Sequence, residues 1–255
     1  MTVDIDSGVQ SRPRFPLKIF GLLLFASVFA SFTTILYGVT VADQAVSLLE
    51  VLLVAGLLSA IVTAPLAGLG LWSRRKQDIE DSSFARLLVQ DELLLSLCLA
   101  IALGIVCGIF VVLSDKAFYS FLPTAIRDVE LPGSLSGMLA AFGAGVNEEI
   151  WFRLGILTGL VGLGRWLLKQ THTTAGLFWI ANIVSALLFG AAHLPQFALM
   201  ADGLSSTVIG VVLFQNGVVG LIFGWLYWQR GLLVAILAHI TADIVIHVVV
   251  PAFLG

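Results

Sequence analysis

Seven mostly apolar runs, each about 20 residues or longer, occupy most of this 255-residue chain. They lie at about 17–40, 50–72, 93–113, 135–164, 174–194, 207–228 and 232–253. Runs of that length cross the hydrocarbon core of a bilayer as helices, at about 1.5 Å of rise per residue. Only helices and closed barrels span lipid, because every backbone polar group there must be paired internally. The runs lack the strict alternation of barrel strands, so the expected fold is all-α, a polytopic transmembrane helical bundle of about seven spans. Composition points the same way: 59% of residues are hydrophobic and 11% charged, against about 25% charged in a soluble domain.

The intervening stretches read as loops: Ser73 to Glu92 with its mixed charges, Ser114 to Ser134 with Pro123, Pro132 and Gly133, and Pro195 to Ser206. The expected organisation is a flexible cytoplasmic N-terminus over 1–16, a three-span region over 17–134 and a core over 135–255. With the N-terminus inside, ten cations (Arg12, Arg14, Lys18, Arg74, Arg75, Lys76, Arg86, Arg165, Lys169, Arg230) face the cytoplasm, and two, Lys116 and Arg127, lie outside. That asymmetry is the positive-inside pattern. Arg12, Arg14 and Lys18 ahead of an apolar run could also open a secretory signal ending near Ala30. The run continues to Val41, which suits an uncleaved first span better. A net charge of -3, with no basic face, argues against nucleic acid and leaves the lipid bilayer as the expected surrounding.

Cys98 and Cys107, nine apart in one apolar run, face opposite sides of a helix and suggest no disulfide. Glycines four apart, at Gly104 and Gly108, Gly155 and Gly159, and Gly220 and Gly224, allow close helix approach.

An ionisable group deep in a span costs at least about 2.5–3.5 kcal/mol on insertion scales, so it faces the bundle interior and marks function. After Ser134 the spans hold Glu148, Glu149, Arg153, His193, His239, Asp243 and His247. Glu149 and Arg153, four apart, share a helix face and should pair. Glu148 is rotated by roughly 100° from Glu149 and stays free for a group from another helix. Asp243 is four from both His239 and His247 and could orient either imidazole; His247, two turns beyond His239, reads as supporting. Each cluster alone also suits ordinary structure, as a packed ion pair or a polar ladder, and it is their co-occurrence that favours a site. His172 lies in a polar loop and is assigned no role.

Glu148-Glu149-Ile-Trp-Phe-Arg153, Phe189-Gly-Ala-Ala-His193 and His239-Ile-Thr-Ala-Asp243 resemble, in order and spacing, the EExxxR, FxxxH and HxxxN/D signatures of the CPBP intramembrane proteases, also called the Abi or CAAX prenyl endopeptidase family. The resemblance implies an all-helical endopeptidase in which Glu148 and His193 activate water for attack on a peptide bond, Glu149 and Arg153 support them, and His239 and Asp243 serve the oxyanion. Asp243 replaces the asparagine form, and a carboxylate donates no hydrogen bond unless protonated. Asp243 is therefore expected to orient His239, which alone would stabilise the oxyanion. No cofactor is implied, although Glu148, His193 and His239 would also make a two-histidine, one-carboxylate zinc set. The expected partner is a peptide or membrane-anchored protein substrate in a prokaryotic plasma membrane. A transporter and a non-catalytic interaction or bacteriocin-immunity protein are the competing readings. The first lacks a repeat between the chain halves, and the second is disfavoured because the motif residues are present.

Overall fold

The computed structural model describes residues 15–41, 47–76, 90–127, 134–201 and 203–254, with the side chains of 36–41, 75–76, 90–92 and 254 left aside. Residues 1–14 of the expected 1–16 segment and most of the Ser73 to Glu92 loop lie outside the described residues. All regular structure among the described residues is helical, and seven helices are long and apolar enough to cross a membrane. The protein is an integral membrane protein.

Spans one to three are Leu17–Val41, Leu48–Lys76 and Gln90–Phe118. Span four, Ser134–Leu167, opens as an α-helix over Ser134–Glu149, continues as a π-helix over Ile150–Leu157 and closes as an α-helix over Thr158–Leu167. Span five is Ala175–Met200, capped by the Thr174 side chain, which accepts from the Leu177 N–H. Span six, Ser206–Arg230, is capped likewise by Ser205. A single residue, Gly231, joins it to span seven, and its φ of 97° is a left-handed conformation that suits glycine. Span seven runs over Leu232–Ile244, a π segment at Val245–Val249 and a last turn at Val250–Leu254.

Two expected boundaries move. Span five continues through Pro195 to Met200, so the loop expected from Pro195 starts at Ala201. Proline removes one helical hydrogen bond, but Leu194, Phe197, Leu199 and Met200 keep the segment apolar, and unfolding it in lipid would expose many more backbone groups. Span three likewise runs past Ser114 to Phe118, before a 3-10 turn at Tyr119–Phe121 and a helical turn at Thr124–Arg127.

Spans one to three present leucines, isoleucines and phenylalanines such as Phe25, Leu57 and Leu94 outward, as helices facing lipid do. Two buried apolar clusters form the interior. One joins spans one, two, four, five, the end of six and the start of seven around Ala30, Ala67, Ile150, Leu157 and Phe178. The other joins spans three, six and seven around Ala100, Cys107, Phe223 and Ala238. The glycine pairs lie at the helix crossings: a methyl on Gly104 would come 2.5 Å from the Ala238 carbonyl of span seven, one on Gly155 2.8 Å from Leu66 of span two, and one on Gly220 3.1 Å from Ala186 of span five. Cys98 is exposed and Cys107 buried, both as free thiols.

Candidate active site

The ionisable residues of spans four, five and seven converge between the two apolar clusters. Glu149 and Arg153 are fully buried and form the expected i, i+4 pair, with Arg153 Nε 3.1 Å from Glu149 Oε2. Arg153 Nη1 and Nη2 have no hydrogen-bond partner among the described residues. The guanidinium lies instead 4.8 Å over the Phe189 ring, whose π face attracts a cation.

Glu149 spends its other oxygen on span seven, where His239 Nδ1–H donates to Oε1 at 2.9 Å. The Nδ1 edge of His239 is thus held by Glu149, and Asp243 faces the ring from its other edge. Asp243 Oδ2 sits 3.6 Å from Nε2, on the opposite edge of the imidazole. A residue four positions along the same helix reaches the ring edge over its own turn, while a neighbouring helix can reach Nδ1 directly. Phe223 at 5.1 Å and Phe189 at 5.9 Å flank the ring and restrict its rotation.

Glu148 takes the other direction, as its rotation around the helix requires. Its Oε2 lies 3.7 Å from His239 Nε2 and 3.8 Å from His193 Nε2. The His193 Nδ1–H donates to the Phe189 carbonyl at 2.8 Å. That bond leaves Nε2 of the neutral ring as an acceptor pointing at Glu148. Glu148, His193 and Asp243 keep 23%, 24% and 16% of their side chains exposed, whereas His239 keeps 6% and Glu149 none. The carboxylates thus divide into one enclosed anchor, Glu149, and two groups, Glu148 and Asp243, at an accessible edge. Among the described residues no set of three or more His, Cys, Asp and Glu side chains is placed to hold a metal ion.

By residue count His193 lies about 27 Å from the start of span five and His239 about 10 Å from the start of span seven, so straight, flush helices would not bring them together. Span five is unbroken at Pro195, so no break there resolves this. The His193 ring folds back one turn onto the Phe189 carbonyl, about 5.4 Å toward the helix start, which closes part of that offset. His247 makes none of the contacts that join the group.

Sequence reading did not reveal the two π segments, which begin directly after Glu149 and after Ile244. π turns inside α-helices are frequent at functional sites. Here the Ser185 hydroxyl of span five donates to the Phe152 carbonyl at 2.9 Å, and that of Thr158, itself 2.8 Å from the Tyr227 hydroxyl of span six, donates to the Arg153 carbonyl at 3.0 Å.

Residues 131–245 match the family described as type II CAAX prenyl endopeptidase Rce1-like. No curated protein and no solved structure matches the chain. The matched stretch is just under half of the sequence; it holds all three motifs and leaves spans one to three outside it. Residues 131–245 are thus similar to the type II CAAX prenyl endopeptidases, and that similarity supports a CAAX-type membrane endopeptidase.

Proposed function

We propose that the protein hydrolyses a peptide bond of a membrane-associated peptide or protein, using water activated by Glu148 and His193. The observation that carries this reading is the convergence of His193 and His239, from different spans, on Glu148 Oε2 at 3.8 and 3.7 Å. A water at hydrogen-bond length, roughly 2.8 Å, from Glu148 and His193 can direct both protons at acceptors and a lone pair at a substrate carbonyl. Glu148 takes the proton as the water oxygen bonds to the carbonyl carbon. The C–N bond then breaks, and Glu148 returns the proton to the leaving amine.

The oxyanion of the tetrahedral intermediate falls to His239. With Nδ1–H committed to Glu149, Nε2 donates only when the ring is an imidazolium. Glu148, Glu149 and Asp243 surround that cation with negative charge, so Asp243 acts as a counter-ion and need not donate a hydrogen bond itself. Arg153 offsets Glu149 from the far side. No metal enters this reaction.

The test is cleavage of quenched fluorescent peptides, one farnesylated with a CAAX end and one unmodified, by the purified protein in detergent. Glu148→Ala and His193→Ala should each lower kcat by about 10²–10⁴-fold, the usual contribution of a positioned acid or base. A zinc chelator should leave the wild-type rate unchanged. Loss on chelation with recovery on added zinc would replace this reading by a metalloprotease; full activity in Glu148→Ala would end it.

A further inference from the structure

Spans one and two lie outside the matched family region, yet a buried polar network joins them to the residues flanking Glu148. The Trp151 indole N–H donates to Thr63 Oγ1 of span two at 2.7 Å. Thr63 Oγ1 lies 2.6 Å from Ser27 Oγ of span one, and Ser27 donates to the Asn147 side-chain carbonyl. Asn147 Nδ2 donates in turn to Ser31 Oγ at 2.9 Å, and Ser31 donates to the Ser27 carbonyl at 3.0 Å. Ser59 Oγ adds a contact to Ser27 Oγ at 2.9 Å.

The direction of the chain is set by its ends. The Ser27 hydroxyl proton is committed to the Asn147 carbonyl, so Ser27 accepts from the Thr63 hydroxyl, which in turn accepts from Trp151. The chain begins and ends on span four, and Ser27 and Thr63 are fully buried. An unmade bond there is not replaced cheaply by water.

Asn147 and Trp151 are four apart and share one face of span four, and Glu148 follows Asn147 by one residue. On the same face Gly143 sits against the Ala30 carbonyl and Gly155 against Leu66, where an added methyl would come 2.7 and 2.8 Å from its neighbour. That face is closed along its length against spans one and two, and rotation of span four about its axis would break all of these contacts together.

We propose that Ser27 and Thr63 are positioning residues for the reaction: through Asn147 and Trp151 they set the rotation of span four, and so the aim of Glu148 at His193 and His239. This rests on the catalytic reading of Glu148. Misplacement of a reacting group by about 1 Å can cost about 10²-fold in rate, and loss of part of the network should cost roughly tenfold in kcat.

The test compares Thr63→Val, which keeps shape and removes the hydroxyl, with Thr63→Ser, which keeps the hydroxyl, and with Ser27→Ala as a second, smaller deletion. Hydrogen–deuterium exchange over residues 143–157 is measured beside kcat and KM on the quenched farnesylated peptide, with rates normalised to monodisperse protein. Thr63→Val and Ser27→Ala should speed exchange in that segment and lower kcat about tenfold with KM within twofold, and Thr63→Ser should do neither. Unchanged exchange overturns the proposal whether or not any peptide is cleaved. Faster exchange with wild-type kcat, or a kcat loss that vanishes on normalisation, overturns it while Glu148→Ala still inactivates. Wild-type cleavage by Glu148→Ala instead removes the catalytic reading, and the positioning role with it.

Discussion

Adjacent glutamates in span four have different surroundings because they point a third of a turn apart. Glu149 is enclosed, bound to Arg153 and to His239 Nδ1, while Glu148 meets two imidazole Nε2 atoms at a partly open edge. Neutralising Glu149 leaves the Arg153 charge buried without a partner, which costs about 3–5 kcal/mol when one member of a buried pair is removed. Glu149→Gln should therefore lower the melting temperature in detergent strongly, and Glu149→Gln with Arg153→Met should be more stable than the two single losses added together. A double-mutant cycle by thermal unfolding checks this; additive losses would mean the 3.1 Å pair is not coupled. The pairing of Glu149 with Arg153, and the separation of Glu148 from it, were legible in spacing alone. The bond from Glu149 to His239 was not, because the two residues are 90 positions apart and no local period relates them.

At the scale of the helix, small residues decide how closely two spans approach. A methyl on Gly70 of span two would overlap the Leu154 carbonyl in the π segment of span four, and relief there requires backbone to move. Gly176, in the first turn of span five, has open space where its Cβ would be. Gly70→Ala should destabilise the protein measurably in a thermal melt and reduce cleavage, and Gly176→Ala should melt as wild type does. Equal melting temperatures would mean that spans two and four do not pack as described. The paired glycines of spans three, four and six announced close crossings in the sequence, whereas Gly70 had no partner four away to draw attention to it. The π turn after Glu149 was also hidden, since its displaced carbonyls are met by Ser185 of span five and by Thr158 one turn on in the same span.

For the whole molecule, seven spans and the distribution of cations predict a cytoplasmic N-terminus and a C-terminus on the opposite side. Fusions of a fluorescent protein and of alkaline phosphatase to the two ends should report opposite compartments, and the same compartment for both would require a different span count. In the expected orientation span five enters from the cytoplasmic side, so His193 lies beyond the middle of its helix, seven residues before Met200. On the proposed reading, Glu148 and His193 are then reached at depth within the bundle, which suits a substrate that is itself in the membrane.

The sequence by itself determined the all-helical membrane fold, the seven spans and the residues that carry charge into lipid. Each of these follows from local quantities: run length, hydropathy, and the cost of placing an ion in hydrocarbon. Tertiary structure alone decided which groups meet. It assigned the Nδ1 edge of His239 to Glu149 instead of Asp243, carried span five intact through Pro195, and tied Asn147 and Trp151 to Ser27 and Thr63 across three helices. Such contacts depend on the relative rotation, inclination and depth of helices that are distant in sequence. Those are set by close packing and hydrogen-bond pairing over the whole bundle, for which a one-dimensional pattern holds no coordinate.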